Sequence, residues 1–358
     1  MSKILYAAST VSHIQSFHTD YIEALRAEGH TVLVMARGEG ADFDIPFEKK
    51  LFSRKNAACR RMIKKILLRE RFDSILLNTS LAAFHIRLAL PLAYPARVVN
   101  LVHGYLFSYR SSFIKRTLLL ASELFLRRRT DAVMVMNEED FGIATRHRLG
   151  REISFVRGMG VAERHAACAP DAVRARTGDE DAFVLLFVGE LSARKNQELL
   201  IRSLSSLRTR VPNAVLWLIG EGDEREALSA LVAELGLSDA VRFLGRRADV
   251  ADYMVACDLY VSASHIEGLP FNIAEALGCG CTVLASRVKG HEDMLRHGES
   301  GFLYEDGDGE ELVSLAASVA EGKAVLSDEK IRAAFLRYEK SEVFDETLSA
   351  MRVALALS

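Results

Sequence analysis

Cysteine is scarce in this chain, which has five among 358 residues, and the number is odd. No two of them form a Cys-x-x-Cys pair, so neither a disulfide framework nor a cysteine metal site is indicated. We therefore expect five free thiols in a reducing compartment. The cysteines are Cys59, Cys168, Cys257, Cys279 and Cys281.

The sequence also lacks an apolar run long enough to cross a bilayer. The nearest candidate, residues 117–126, is interrupted by Glu123 and followed by three arginines. The first residues lead directly into an apolar strand and carry no charged segment with a cleavage site, so no signal peptide is expected. We therefore expect a cytoplasmic protein that is at most peripheral on the inner face of the cell membrane.

Net charge is small, but the charges are unevenly distributed. Residues 1–170 carry 26 Lys/Arg and 16 Asp/Glu, whereas residues 171–358 carry 20 and 32, so the two parts have net charges of +10 and −12. A basic first half suggests an anionic partner, which leaves nucleic acid, a membrane surface or a phosphate-bearing acceptor open. Two basic amphipathic segments, 53–71 and 111–129, account for this charge. The first suits anionic lipid, although for it a helix that covers a sheet with a solvated face is the more ordinary interpretation.

Apolar strands alternate with helical segments from the start of the chain. A strand over 4–8, a helix over 15–27 and a strand over 31–36 predict a doubly wound α/β fold with a parallel sheet. The turn after the first strand ends in His13 and has no Gly-x-Gly-x-x-Gly, which disfavours a dinucleotide-binding dehydrogenase. A second strand series begins at 183, and the length suits about two domains.

The most informative stretch is 262–286, which predicts a strand, a loop, a helix and a second strand. Glu267 lies in the loop, and Glu275, eight positions later, lies about one turn into the helix. The loop N–H groups and the helix start suit an anion such as a diphosphate. Two carboxylates beside that anion can accept hydrogen bonds from several hydroxyls. A diphosphate with a polyol describes a nucleotide sugar.

The pattern Glu267-Gly-Leu-Pro followed by Glu275-Ala resembles the paired-glutamate signature of the family-4 retaining glycosyltransferases of GT-B fold. Residues 280–286 fit the same family, and the type resembled is that of bacterial exopolysaccharide or capsule biosynthesis. The resemblance implies two Rossmann-like, doubly wound parallel-sheet domains that face each other across a cleft. It implies an acceptor domain over 1–162, a donor domain over 163–340, and a last helix, about 341–358, that packs back on the first domain.

The resemblance also implies roles for charged residues of the second half. Lys195 matches the family lysine and, with the neighbouring Arg194, is expected to stabilise the departing diphosphate. The position of the family arginine holds Glu190, whose role the resemblance leaves open. Glu267 is expected to hold the hydroxyls of the donor sugar, and Glu275 those of the ribose.

Further positions follow from the same resemblance. On the donor side they are Gly220, Arg246, Arg247, Gly268, Leu269, Pro270 and Phe271. In the first half, His103 at the tip of a strand is expected to orient the donor or the incoming acceptor. Gly104 and His13 are placed on the acceptor side, with an ordinary turn residue as the alternative for His13.

The implied reaction moves a hexosyl group from a UDP sugar to a hydroxyl of a glycan acceptor linked to polyprenyl diphosphate. No side chain suggests a covalent nucleophile, so the resemblance implies front-side substitution with retention of configuration. The Asp-x-Asp sequences at 42–44 and 306–308 both fall in predicted loops. We therefore expect no metal and no other cofactor.

Three alternatives remain beside this interpretation. A nucleotide-sugar 2-epimerase of the same fold would interconvert its sugar without an acceptor. A non-catalytic partner subunit would keep the fold without the chemistry, although Lys195, Glu267 and Glu275 argue against it. A nucleic-acid-binding protein would explain the basic half, but no basic surface interleaved with aromatics is evident and the second half is acidic.

Overall fold

The computed structural model describes residues 1–49, 51 and 53–357. It divides the chain into two compact units. The first unit is Met1–Gly160 with Ser341–Ser358, and the second is Val161–Lys340. The last helix therefore belongs to the same unit as the first strand.

The first unit contains a seven-stranded sheet in the order β3-β2-β1-β4-β5-β6-β7, in which each registered pair is parallel. The central strands are buried along most of their length, as expected for a parallel sheet covered on both faces. The strands are β1 (Lys3–Thr10), β2 (Thr31–Arg37), β3 (Phe43–Asp44), β4 (Ser74–Asn78), β5 (Arg97–Val102), β6 (Ala132–Val135) and β7 (Glu152–Phe155).

Helices connect these strands. They are α1 (Val11–Phe17), α2 (Thr19–Ala27), α3 (Arg54–Glu70), α4 (Ser80–Ala89), α5 (Phe113–Leu126), α6 (Glu138–His147) and, at the end of the chain, α15 (Lys340–Leu355). The last helix is anchored in this unit by backbone acceptors. Thr347 donates to the carbonyl of Gly158 at 2.9 Å, and Ser74 donates to that of Leu355 at 3.0 Å.

The predicted single helix over 15–27 is wrong. The structure has two helices, α1 and α2, which meet at His18, where φ is −126° and ψ is −8°. The side chain of His18 is fully buried, and its Nδ1 lies 2.8 Å from the hydroxyl of Tyr6. This contact holds His18 against β1 at the point where the helix breaks.

The two basic segments differ in how they pack. The helix α3 buries Cys59, Ile63 and Leu67 against the sheet, which agrees with the sheet-covering interpretation. The helix α5 instead leaves several large apolar side chains exposed, and it ends at Leu126 before a short 3-10 turn. The exposed side chains of α5 are Phe113, Ile114, Leu118 and Phe125.

The second unit contains a six-stranded parallel sheet in the order β10-β9-β8-β11-β12-β13. Its strands are β8 (Phe183–Val188), β9 (Ala214–Ile219), β10 (Val241–Gly245), β11 (Leu259–Ser262), β12 (Val283–Ser286) and β13 (Phe302–Tyr304). Its helices are α7 (Pro170–Thr177), α8 (Gln197–Leu207), α9 (Arg225–Glu234), α10 (Val250–Ala256), α11 (Phe271–Gly278), α12 (His291–Met294), α13 (Gly309–Ala320) and α14 (Asp328–Leu336). The predicted pair of parallel α/β domains is thus confirmed as two such units. Among the described helices, none has the length and apolar character needed to span a membrane.

All five cysteines are free thiols, as predicted.

Candidate active site

The centre of the second unit's site is a buried ion pair between Lys195 and Glu267. The Nζ of Lys195 lies 2.6 Å from Oε1 of Glu267, and an Nη atom of Arg194 lies 3.1 Å from the same oxygen. Lys195 and Glu267 are each 8% exposed, whereas Arg194 is exposed. The structure therefore brings together three predicted residues that lie on two different strand ends.

Charge keeps this carboxylate ionised. Burial alone would raise the pKa of Glu267, but the charges of Lys195 and Arg194, with a smaller contribution from His291, outweigh burial and lower the pKa to about 2. The ionised Glu267 neutralises Lys195 and Arg194, the two cations that are predicted to bind the diphosphate. An arriving diphosphate would therefore compete with Glu267 for the same Nζ.

The loop that carries Lys195 is fixed by Gln197. The side-chain amide of Gln197 donates to the carbonyl of Glu190 at 2.8 Å, and its oxygen accepts from the N–H of Ser192 at 3.2 Å. Asn196 adopts a left-handed conformation with φ of 53°, which turns the chain into α8. In this loop the backbone carbonyl of Glu190 accepts the hydrogen bond from Gln197, while the side chain of Glu190 is exposed.

Glycines let the next loop pack directly on this one. A Cβ added to Gly220 would lie 1.9 Å from the carbonyl oxygen of Gly189, and one on Gly222 would lie 2.0 Å from that of Leu191. Real Cβ atoms do not come so close to backbone oxygen, so both positions require glycine. Gly220, which was predicted on the donor side, therefore serves with Gly222 the packing of the two loops.

The second glutamate lies on α11, which is tethered to the sheet by Asn272. The amide of Asn272 donates to the carbonyl of Val188 and to the hydroxyl of Tyr260, both at 2.8 Å. Glu275 follows one turn later and is partly buried. Burial raises the pKa of Glu275, and Arg164 partly opposes this rise.

Arg164 is a residue that the sequence did not identify. Its Nη2 lies 2.7 Å from Oε1 of Glu275, although Arg164 belongs to the polar connection that precedes α7. The composition of that connection gives no local signal that distinguishes Arg164 from the other polar residues around it. The predicted ribose carboxylate therefore already has an ionic partner in this structure.

The loop at the start of α11 rests on a further turn after β12. Leu269 and Pro270 are buried, and Gly268 and Phe271 are partly buried. A Cβ on Gly290 would lie 2.7 Å from the carbonyl oxygen of Gly268, so this turn must also contain glycine. The contact places the backbone of residue 290 directly against the loop that carries Glu267.

His291, next to that glycine, is a further residue of this site that was not predicted from the sequence. Its Nδ1 lies 2.7 Å from the carbonyl oxygen of Ser286 and must donate to it, since a carbonyl only accepts. In the neutral ring, Nε2 then accepts from the Ser262 hydroxyl at 3.3 Å. Burial lowers the pKa of His291, and Glu267 opposes that effect. The sequence could have indicated His291 as a site residue, because it follows β12 at the same edge of the sheet.

The two arginines after β10 are placed differently. Arg246 is exposed. Arg247 forms two hydrogen bonds with Asp249, at 2.8 and 2.6 Å, and its guanidinium lies 5.0 Å from the ring centre of Tyr253. The ion pair therefore directs Arg247 toward Asp249, and no described contact of Arg247 joins it to Lys195 or Glu267.

The predicted histidines of the first unit lie together. His13 is in α1, and His103 directly follows β5; their ring centroids are 4.7 Å apart. His18 joins them, with its ring centroid 5.0 Å from that of His103. The sequence missed His18 because it fell inside a predicted helix. Gly104 has φ of 137°, which permits the sharp turn after His103.

These three imidazoles are neutral near pH 7. Burial lowers the pKa of His13 to about 4. Burial likewise lowers the pKa of His18 and that of His103 well below the ordinary range, and repulsion between the rings adds to the effect. Neutral imidazole can accept a hydrogen bond or a proton, and it can also bind a metal ion.

One Asp-x-Asp prediction needs correction. Residues 42–44 do not lie wholly in a loop, because Phe43–Asp44 forms the edge strand β3. Asp42 accepts from the N–H of Val34 at 2.7 Å, and Asp44 accepts from that of Gly38 at 3.0 Å. Both carboxylates thus stabilise the turn between two strands. At 306–308, Asp308 caps α13 by accepting from the N–H of Glu311 at 2.9 Å.

Comparisons with known proteins identify the family. The model described as Glycosyl transferases group 1 matches residues 171–340, and the model described as Glycosyltransferase Family 4 matches residues 15–147. The relative named "Putative glycosyltransferase EpsD", from Bacillus subtilis, is 30% identical over 320 residues, covering 86% of this chain and 84% of the relative.

A second relative and one solved structure extend the comparison. The N-acetylgalactosamine-N,N'-diacetylbacillosaminyl-diphospho-undecaprenol 4-alpha-N-acetylgalactosaminyltransferase of Campylobacter jejuni is 33% identical over 171 residues, covering 47% of this chain and 44% of the relative. Anabaena HepE in complex with UDP and glucose has a TM-score of 0.79 at 22% identity, covering 99% of this chain and 100% of HepE. This likeness concerns the fold alone.

The chain belongs to the family-4, group 1 glycosyltransferases. The predicted family membership and the GT-B fold class are both confirmed.

Proposed function

We propose that this glycosyltransferase moves a hexosyl group from a UDP sugar to a hydroxyl of a glycan acceptor, with retention of configuration. The observation that carries the proposal is the buried Lys195–Glu267 pair, with Arg194 beside it, at the carboxyl edge of the second sheet. Ligands of parallel α/β sheets bind at this edge. HepE, which shares the fold, has been crystallised with UDP and glucose.

In this proposal the second unit binds the donor and the first unit binds the acceptor. Lys195 and Arg194 receive the diphosphate, and Glu267 exchanges its ion pair for hydrogen bonds from sugar hydroxyls. Glu275 accepts from the ribose hydroxyls, which requires Arg164 to share or release its carboxylate. His103 orients the donor or the acceptor as a neutral imidazole.

The chemistry is a front-side substitution. The bond between the anomeric carbon and the phosphate oxygen breaks, and the acceptor oxygen bonds to the same face of that carbon. The acceptor's proton passes to the leaving phosphate oxygen. Lys195 and Arg194 stabilise the negative charge on the diphosphate, so the proposed reaction needs no metal ion and no other cofactor. Activity that EDTA does not lower would support this, and loss of activity that manganese restores would contradict it.

The proposed pathway is assembly of a bacterial surface polysaccharide, such as an exopolysaccharide or a capsule, on a lipid-linked acceptor. The Campylobacter relative is named for a diphospho-undecaprenol acceptor. The exposed apolar side chains Phe113 and Ile114 of α5, next to Lys115 and Arg116, suit peripheral contact with an anionic membrane where such an acceptor resides. Cytoplasmic binding on the inner face of the membrane is part of the same proposal.

The first test is a thermal-shift titration with UDP, GDP, ADP and dTDP. A ligand that binds the folded state stabilises it by RT ln(1 + [L]/Kd), about 2.7 kcal/mol at a concentration of 100 Kd. We expect UDP alone to stabilise the wild type, and Glu275→Ala to abolish the effect. Glu198→Ala is the matched control, because Glu198 is an exposed glutamate of the same unit, paired with Arg202 on the surface of α8.

The outcomes separate the alternatives. No shift with any nucleotide would contradict the enzyme proposal and favour a non-catalytic partner subunit. If UDP binds, a panel of UDP sugars with and without acceptor follows. Interconversion of the sugar without acceptor would identify the 2-epimerase instead.

A further inference from the structure

Three histidine side chains of the first unit converge on one point. His13, His18 and His103 each offer a ring nitrogen, and these three atoms lie within 4.8 Å of one another. The chain brings them from two separated segments, because His13 and His18 follow β1 whereas His103 follows β5. These three residues are called the histidine triad below.

The spacing of the ring nitrogens fits a shared ion. The Nε2 atoms of His13 and His18 are 3.3 Å apart. Two nitrogens bound to a tetrahedral zinc ion at about 2.0–2.1 Å are themselves about 3.3 Å apart. Little movement of these two rings would therefore be needed to place an ion between them.

Two neighbouring features prepare the triad for a ligand. The hydroxyl of Tyr6 lies 2.8 Å from Nδ1 of His18, which fixes the ring and lets its Nε2 present a lone pair. The Nε2 of His103 is buried and has no hydrogen-bond partner within the described chain. A buried polar atom without a partner is costly, and a bound ion would remove that penalty.

We propose that the histidine triad binds a divalent transition-metal ion of the Zn²⁺ class. Three neutral imidazoles suit zinc, copper, nickel or cobalt, and they leave a fourth position for water or an anion. Magnesium and calcium are disfavoured because they prefer oxygen ligands.

The consequence for activity rests on the proposed function. A metal ion on the triad would occupy the lone pairs of His13 and His103, so it would block the orientation of the donor or acceptor by His103. The ion is therefore an inhibitor of transfer. This is compatible with metal-independent chemistry, because Lys195 and Arg194 stabilise the diphosphate in the other unit.

The test is a titration of the metal-free full chain with Co²⁺ and Zn²⁺. Tetrahedral Co²⁺ absorbs visible light, so binding is read directly without an activity assay, and calorimetry measures the affinity for Zn²⁺. We expect about one equivalent of each ion to bind. His13→Asn should weaken binding more than tenfold, because it removes one of three ligands, and it does so at a partly buried position where the substitution disrupts packing less than at the fully buried His18. His30→Asn is the matched control, since His30 lies in the same unit outside the triad.

A measurement on the wild type alone keeps the test independent of folding of the variants. With ¹⁵N-labelled histidine, Zn²⁺ should shift the ring signals of three of the ten histidines. Absence of binding to the wild type would overturn the proposal. So would cobalt binding with thiolate absorption that persists in His13→Asn, because the cysteines would then be the ligands. Nucleotide binding tests the second unit, whereas metal binding tests the first. A failure of the metal-site proposal can therefore be told apart from a failure of the proposed donor site.

Discussion

Arg164 and Glu275 are joined by an ion pair of 2.7 Å, although Glu275 is the carboxylate assigned to the ribose. Arg164 is about half exposed, so the pair stabilises by at most about 1 kcal/mol. In the proposed function, a ribose must displace or share this partner.

We therefore expect Arg164→Ala to tighten UDP binding at pH 8 by up to about fivefold. The ion pair with Arg164, which stabilises by about 1 kcal/mol, would no longer compete with the ribose for Glu275. Calorimetric titration with UDP measures the change. Arg332→Ala is the control, since Arg332 pairs with the adjacent Glu163 at 2.7 Å in the same unit. Weaker binding in Arg164→Ala would instead mean that the guanidinium itself contacts the nucleotide.

Removal of the Lys195 charge should destabilise the second unit. Lys195→Met leaves Glu267 buried without its nearest cation, and breaking a buried pair from one side costs about 3–5 kcal/mol. Because Arg194 remains 3.1 Å from Glu267, we expect about 3 kcal/mol, measured by urea unfolding. Adding Glu267→Gln should recover part of the loss. Lys330→Met is the control, because Lys330 is an exposed lysine 4.0 Å from Glu299, and we expect it to change stability little. A similarly small loss in Lys195→Met would show that the Lys195–Glu267 pair does not stabilise the unit.

Glu267 should also make stability depend on acidic pH. Its folded-state pKa of about 2 is below the ordinary value of 4.5, so the stabilisation is fully present above pH 4.5 and is lost as pH falls toward 2. Glu267→Gln has no such group. Melting temperatures of the two proteins between pH 7 and pH 3 should therefore converge as pH falls. A constant difference across that range would be inconsistent with the lowered pKa.

A substitution at Gly220 tests the close packing of the loops that follow β8 and β9. Gly220→Ala places a Cβ 1.9 Å from a backbone oxygen, so the loops must separate. Gly236→Ala is the matched control, because Gly236 also has positive φ, +68°, but nothing lies within 4 Å of an added Cβ. We expect about 1 kcal/mol of destabilisation at Gly236 and at least about 2 kcal/mol more at Gly220, where UDP affinity should also fall. Equal effects at the two positions would show that only backbone conformation matters.

The strand ends of the site could be predicted from the sequence, because apolar runs bounded by glycine locate strands and parallel sheets gather their carboxyl ends. The donor roles came from elsewhere: Lys195 was assigned to the diphosphate by the family resemblance, and Glu267 to the donor sugar by its loop before a helix together with that resemblance. Their direct contact could not be predicted, because 72 positions separate them and nothing local reports a tertiary ion pair. Arg164 was missed for the same reason, since its partner is Glu275, on a distant helix.

The histidine triad shows a second kind of limit. Helical periodicity continues across residue 18, so the sequence predicted one helix where burial of His18 against Tyr6 divides it into two. A break that depends on a tertiary contact leaves no local signal such as proline or glycine. The triad therefore became visible only when β1 and β5 were placed in one sheet.

The placement of α15 has a consequence for synthesis on the ribosome. Residues 341–357 belong to the first unit, where Met351 and Val343 are fully buried, yet they follow the whole second unit in the chain. The second unit has all its residues once Lys340 has emerged, whereas the first unit still lacks a helix that covers its core. The unit whose synthesis begins first is therefore completed last, and the part of its core that α15 covers stays uncovered until the end of the chain emerges.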